Sequence, residues 1–225
     1  PDGLAGTDGV FFGGATIYLK GNSIADSTIK TTLNAGASSI YAFPSDTSRI
    51  GLGDLVPTVG GTLHIGGAVA ATNTANINSI IGGYATFGTA GQTAHQATTW
   101  AVSNGAGSAI TGLAIYTNSA AGTQFGAAVN YNVTQADSES GTVNSIRFNT
   151  NAALTLTLNA GSSILNSGGI LVTASTGTNT STIGGAGTLT ASAAAGQVYV
   201  HQYSPSGNFV INVPINDNGT AIGLT

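Results

Sequence analysis

Cysteine and methionine are both missing from the 225 residues, and charge is scarce: 4 Lys+Arg and 8 Asp+Glu make up 5% of the chain. An ordinary soluble domain carries about a quarter. Without cysteine there is no disulfide framework, no thiolate metal site and no thiol nucleophile. Lys20, Lys30, Arg49 and Arg147 stand singly, so no basic stripe is available to release phosphate counterions, and nucleic acid drops out as a partner. No apolar run approaches the ~18 residues of a membrane span. The opening "PDGLAGTDGVFFGG" has neither the basic n-region nor the apolar core of a signal peptide. The absence of methionine is read as the mark of a processed or excised piece.

Small side chains fill the space that charge leaves. There are 34 glycines, and alanine swells the hydrophobic share to 41%, with threonine, serine and asparagine supplying most of the rest. Disordered chains combine low hydrophobicity with high net charge. Here the net charge is -4 and β-branched residues recur throughout, which argues for order. "TLNAGASSI" at 32 to 40 returns as "TLNAGSSIL" at 157 to 165, "SIIGGYATF" at 79 to 87 as "STIGGAGTL" at 181 to 189, and "GGTLHIGG" at 60 to 67 resembles "GAGTLTAS" at 185 to 192. The spacings differ, so the chain is built from related strand–turn units without one fixed period.

Each unit reads as a short strand bounded by Gly, Asn or Ser. "ATIYL", "TLHI", "LAIYT", "SIRFN", "LTLTLN", "GILVTA", "QVYVHQY" and "FVINVPI" all alternate with period two. No stretch carries an apolar stripe at helical spacing among good helix formers. A sandwich or up-and-down barrel would want bulky inward residues and recurrent two-residue hairpins, yet Asn-Gly occurs only at 104–105 and 218–219. The expected fold is therefore all-β with little or no helix: a right-handed parallel β-helix whose narrow interior takes small and aliphatic side chains in stacked rows. At roughly 20 to 25 residues per coil this gives about ten coils. The domain reading is a glycine-rich N-terminal arm over 1–14 and one β-helix over 15–225.

These residues also carry a family resemblance. "TVNSIRFN", "LTLTLNAGSSI", "SGGILVTAS", "TSTIGGAGTLT", "VYVHQ" and "PINDNGTAIGLT", together with "INSIIGGYATFG" and "TTWA", resemble the autotransporter-associated β-strand repeat region of large secreted bacterial proteins. The resemblance implies a passenger-type parallel β-helix at the bacterial cell surface or in the medium, with a structural or adhesive role. It brings no catalytic residues with it. The chain ends at Leu224-Thr225, where the family pattern runs on into a further strand.

No catalytic, metal or cofactor site emerges, and no cofactor is expected. Asp137 and Glu139 in "QADSESG" share strand parity, but the flanking Ser and Gly read as a solvated turn; Asp46 and Arg49 in "PSDTSR" read as a turn with a surface ion pair. His64, His95 and His201 fall in separate units without metal-ligand spacing. Alternation turns His64 and His201 outward, and Trp100 is assigned to a core layer. Tyr199, His201 and Tyr203 share one face of "VYVHQY", so an outward strip of these three would suit a glycan or a protein partner. The end of a solenoid leaves unpaired strand edges that are normally capped. No cap is evident here, and Val10, Phe11, Phe12, Ile222 and Leu224 are assigned to head-to-tail self-association through those edges.

The functional expectation is a non-enzymatic, extracellular structural protein, a segment of a bacterial surface protein or a self-assembling fibre. An adhesin module binding glycan or protein is the alternative, and a carbohydrate-active β-helix enzyme ranks below both. With so few titratable groups, folding stability should change little between about pH 5 and 8. Urea unfolding midpoints across that window check this, and a steep dependence would mean that the histidines govern the fold.

Overall fold

A four- or five-residue strand buries only two or three side chains, so strands this short close a core only by adding neighbours. The computed structural model describes residues 10–20, 24–27, 30–42, 49–88 and 96–225; residues 1–9 of the expected arm, Asp46 and His95 lie outside them. Among the described residues there is no α-helix, and one 3-10 turn, Ala174–Thr176, follows the capping hydroxyl of Thr173. The strands stack in parallel as a β-solenoid of about 8 turns. The described residues fall into two compact units divided between Leu113 and Ala114, where the sequence shows no linker and one domain over 15–225 was expected.

In the first unit three successive coils each give one strand to each of three sheets, and a further strand extends the second sheet. Val10–Phe12, Lys30–Leu33 and Asp54–Pro57 form one; Thr16–Leu19, Gly36–Ala42, Gly61–Gly66 and Ala85–Gly88 run through the second; Ile24–Ser27, Arg49–Gly51 and Ala70–Ala71 form the third. The "VFF" of the expected arm is thus the first strand of the coil. Val10, Phe11 and Phe12 pair in parallel with Thr31, Thr32 and Leu33, and Phe12 is buried. Local reading misses this because a parallel partner lies a whole coil away along the chain. The stack then departs from the all-parallel pattern: Ala97–Val102 runs antiparallel to Ala85–Gly88, and Thr111–Gly112 antiparallel to Ala97–Val102. These residues lengthen the sheet without adding a coil, which lowers the turn count below the ten expected.

The second unit repeats the scheme. Asn130–Val133, Thr142–Phe148, Ser162–Val172 and Gln197–Gln202 share a sheet, and Asp137–Glu139, Leu154–Leu158, Ser181–Gly185 and Phe209–Ile211 share another. The long strand Ser162–Val172 turns a corner: its first half pairs with Thr188–Ala191 and its second half with Gln197–Gln202. Register stacks like on like. Tyr131, Ile146, Ile170 and Val200 form one column, and Leu156, Ile183 and Ile211 another, and all pack in a single core. "LAIYT" is the expected strand that fails. It straddles the unit boundary, only Thr117–Asn118 pairs, and Ile115 is 82% exposed.

The corner between neighbouring sheets explains the repeated words. In "TLNAGASSI" and "TLNAGSSIL", Leu33 and Leu158 end one strand, Asn34 and Asn159 turn the chain, and Gly36 begins the next at φ 127° while Gly161, at φ 113°, immediately precedes it. The turn is tied to the coil on either side in both copies. Asn34 N–H donates to Phe12 O and Asn159 N–H to Glu139 O, while Leu33 O accepts from Thr58 N–H and Leu158 O from Gly187 N–H. "SIIGGYATF" and "STIGGAGTL" share letters but not structure in their first halves. Ser181–Gly185 is a strand, whereas Asn78 and Ser79 take positive φ in a tight turn bridged by Ile77 and Ile80. That turn is the mirror-image type that favours Asn-Gly.

Coils this close leave no room for a side chain at certain corners. A Cβ on Gly187 would collide with Asn159 O, whereas one on Gly184 would meet only threonine methyls at 3.8 and 4.0 Å. Gly187→Ala should therefore lower the unfolding free energy by about 1–3 kcal/mol, as overpacking does. Gly184→Ala should be neutral or gain up to about 1 kcal/mol from the stiffer unfolded chain. Paired urea titrations read both, and equal effects would refute the corner account.

Candidate functional site

The acidic pair stands where an aliphatic pair belongs. Asp137–Glu139 is a strand, not the solvated turn expected, and it pairs in parallel with Leu154–Leu158 so that Asp137 lies over Leu156 and Glu139 over Leu158. The carboxylates thus head two columns that continue below as leucines. The turn-like Ser and Gly misled because ladder pairing with the next coil outweighs local propensity.

Glu139 is fully buried. Its Oε1 accepts from Gln124 N–H at 2.8 Å, and its Oε2 accepts from Gln124 N–H at 3.0 Å and from Phe125 N–H at 3.2 Å. Two successive backbone N–H groups aimed at one anion form a nest of the kind that binds oxyanions. Beside it the Tyr131 hydroxyl donates to Asp137 Oδ2, and the Tyr131 ring meets Phe125 edge-on at 5.1 Å. Burial, and then the bond to Asp137, holds the Tyr131 phenol far above its ordinary pKa of 10.0. Residues 119–129 are therefore fastened across the first coil of this unit. Ser119 Oγ accepts from Thr134 N–H and Gln135 N–H, and Asn166 Nδ2 donates to Ala127 O. This is the polar end cap that the sequence did not reveal. Because both Glu139 oxygens are spent on the backbone and the side chain has no exposed surface, the pair does not present the open acid and base that a glycosidase needs.

The outward strip is not outward in effect. Tyr199 and His201 do lie on the face opposite the core residues Val198 and Val200, yet they are 3% and 7% exposed. Tyr199 Oη accepts from Gln197 Nε2 at 3.0 Å, and the His201 ring stacks parallel to Tyr203 at 6.5 Å. Tyr203 alone of the three is half-buried. His64 corrects in the same way. It was expected in solvent and is buried, with Nδ1 3.1 Å from Thr86 Oγ1 and the Tyr41 ring tilted over it at 5.5 Å. Strand parity assigns a side of the sheet; it does not assign exposure. Trp100 is fully buried, as a core layer requires.

Arg147 was passed over as one of four scattered cations. It lies in a ladder of side chains from successive coils: Nε donates to Asn132 Oδ1 at 3.0 Å, Asn132 Nδ2 donates to Asn118 Oδ1 at 2.8 Å, and the guanidinium sits 3.5 Å from the Tyr116 ring centroid. Burial lowers its pKa, and Tyr116 opposes that. A signal existed in principle, since Asn132 and Arg147 recur at like positions of "NYNV" and "SIRF".

The residues assigned to self-association divide. Phe11 and Leu224 are each 62% exposed, Phe12 is buried and Ile222 half-buried. Gly223–Leu224 pairs in parallel with Gln197 and Val198, and among the described residues it is the last strand of its sheet, as Val10–Phe12 is of its own. No three metal-ligating side chains gather among the described residues. No family model matches the chain, and no curated protein or solved structure matches it either.

Stability should fall in alkali. Tyr131 and Tyr199 both have pKa values raised by burial, so the folded state prefers their neutral forms. That contribution is complete below the ordinary value of 10.0 and is lost as pH rises through the folded values. Unfolding midpoints from pH 8 upward should drop more steeply for the native chain than for Tyr199→Phe. Parallel curves would refute the assignment.

Proposed function

We propose that this chain is an extracellular structural protein, a β-helical segment of a bacterial surface protein or self-assembling fibre. The observation that carries this reading is that, among the described residues, the outermost strands of two parallel sheets hold large apolar side chains in solvent, Phe11 on Val10–Phe12 and Leu224 on Gly223–Leu224. Edge strands offer unpaired backbone to another chain and are normally blunted by charge or cover. These two carry no charge. A second copy supplies the matching surface, because a strand added at either edge continues the parallel ladder already present. The contact is heterologous and generates an open filament unless its rotation closes a ring.

The resemblance to autotransporter-associated repeats agrees with this role and supports placement at the cell surface or outside the cell. The aromatic strip at Tyr199, His201 and Tyr203 was the site assigned to an adhesin's glycan, and the burial of Tyr199 and His201 takes away the platform on which a glycan would stack. Self-association is accordingly preferred to glycan as the partner.

Light scattering across a concentration series, with negative-stain electron microscopy, tests the proposal. Filaments or concentration-dependent oligomers are expected from the native chain. Leu224→Lys, which places a charge on the edge strand, should shorten or abolish them while leaving the circular dichroism spectrum unchanged. A chain that stays monomeric at every concentration refutes self-assembly.

A further inference from the structure

We infer that two copies of this chain join in one fixed register: strands Val10–Phe12, Thr16–Leu19 and Ile24–Ser27 of one copy continue the coil formed by Phe209–Ile211, Ile215 and Gly223–Leu224 of another, with Phe12 stacked on Val213 and Phe11 beside Asn212. This rests on the self-association proposed above and adds to it which surfaces meet, in which direction and at which residues.

Among the described residues each unit closes one end of its own stack and leaves the other open. In the first unit the end away from Val10 is covered by Ala97–Val102 and Thr111–Gly112, with Trp100 and Ile110 fully buried and Ile110 N–H donating to Ala70 O. In the second the end at Asp137–Glu139 is covered by residues 119–129. At the two remaining ends the core columns run out toward solvent. Ile17 is half-buried beside a fully buried Ile40, and Ile211 and Ile215 are half-buried beside fully buried Ile183 and Leu189. A further coil at either end takes that apolar surface out of water.

The two units share a cross-section, and this sets the register. The corner "TLNAG" leads from the first sheet to the second in both, and the inward Ser38 and Ser163 that follow it pair one coil on with Leu63 and Leu189. Leu33 and Leu158 are therefore equivalent positions. Leu33 pairs with Phe12 on one side, and Leu158 pairs with Gly185 on the other. Continued from Ile183 and Ile211, the same ladder sets Asn212 at Gly184 and Val213 at Gly185. Val213 is already part of the core of its unit. The interior column Leu158, Gly185, Val213 thus runs on into Phe12 and Leu33 of the next copy. The outer column Thr157, Gly184, Asn212 runs on into Phe11 and Thr32.

Direction follows from the ladders and from charge. The outermost pairings at both open ends are parallel, and only head-on-tail stacking preserves that direction across the joint. The exposed charged residue that follows the second-sheet strand is Lys20 at the head and Asp217 at the tail. Head on tail brings opposite signs together, whereas two joined heads or two joined tails confront like charges.

Cysteine pairs read the register directly, because the chain has none of its own. In-register neighbours on adjacent parallel strands lie about 4.8 Å apart, inside the span of a disulfide, whereas a slip of two residues sets them about 8 Å apart, outside it. Under mild oxidation the double variant Phe11→Cys with Asn212→Cys should give a ladder of dimers, trimers and higher multimers on a non-reducing gel. Phe11→Cys with Val210→Cys should link about tenfold more slowly or less, and each single variant should stay unlinked. Should the loss of Phe11 itself weaken assembly, amide exchange on the native chain gives a second reading. Protection should rise with protein concentration in Val10–Phe12 and in Phe209–Val213 together, and stay constant in Thr111–Gly112. Oligomers that form without the 11–212 link and without protection of both segments overturn the register, as do faster linking at 210 or disulfide dimers of a single variant, and all of these leave self-association standing. A chain that is monomeric at every concentration overturns both.

Discussion

The distance between coils is the constraint on which everything else in this molecule depends. Parallel strands pair about 4.8 Å apart, and the chain must leave one sheet and enter the next within that height. At the corner after Leu33 and Leu158 it does so by bringing backbone against backbone. A Cβ on Gly61 would strike Leu33 O, and one on Gly36 would strike the backbone of Gly14. Glycine at these two points is therefore steric necessity, with positive φ an added requirement at Gly36, whereas at Gly161 positive φ alone is the requirement.

The same spacing decides which polar residues can be buried. Like positions of successive coils come close enough for short side chains to bond each other, so a buried amide finds its partner one coil away. Asn144 Nδ2 and Ser145 Oγ both donate to Asn130 Oδ1, and Thr173 Oγ1 donates to Asn149 Oδ1. A lone asparagine in an interior would cost the full desolvation of its amide. In a ladder that cost is offset by a neighbour that the repeat itself supplies. This is how a chain with 5% charged residues can still bury asparagine, serine and threonine freely. The exceptions are the Ser163 and Ser181 hydroxyls, which have no hydrogen-bond partner among the described residues.

What the sequence reveals is what period two and glycine punctuation can encode. "TLHI", "LTLTLN" and "QVYVHQY" are strands because alternation is a property of neighbours along the chain. What it conceals lies a coil away. The strand Asp137–Glu139 is invisible in "QADSESG" until Leu156 and Leu158 are placed beneath it, and the pairing of Val10–Phe12 needs Thr31–Leu33. The burial of His64 and His201 on the outer side of their strands is hidden for a related reason. Period two states which side of the sheet a residue takes and says nothing of what covers that side. The antiparallel turn-back at Ala97–Val102 has no local signature either, since a strand's direction is set by its connection and not by its letters.

The end cap draws these threads together. A column of leucines cannot simply stop, because its last member would face water or demand another coil. At the head of the second unit the columns of Leu156 and Leu158 stop by changing chemistry at the same register, to Asp137 and Glu139. A buried carboxylate there needs donors aimed at its side chain. The chain supplies them from outside the ladder by laying a loop of small, uncharged residues across the opening and turning two of its amides inward. The two carboxylates of this cap are a quarter of the eight acidic residues in the chain. In a solenoid so poor in charge, a buried acid marks a place where the repeat gives way to something else.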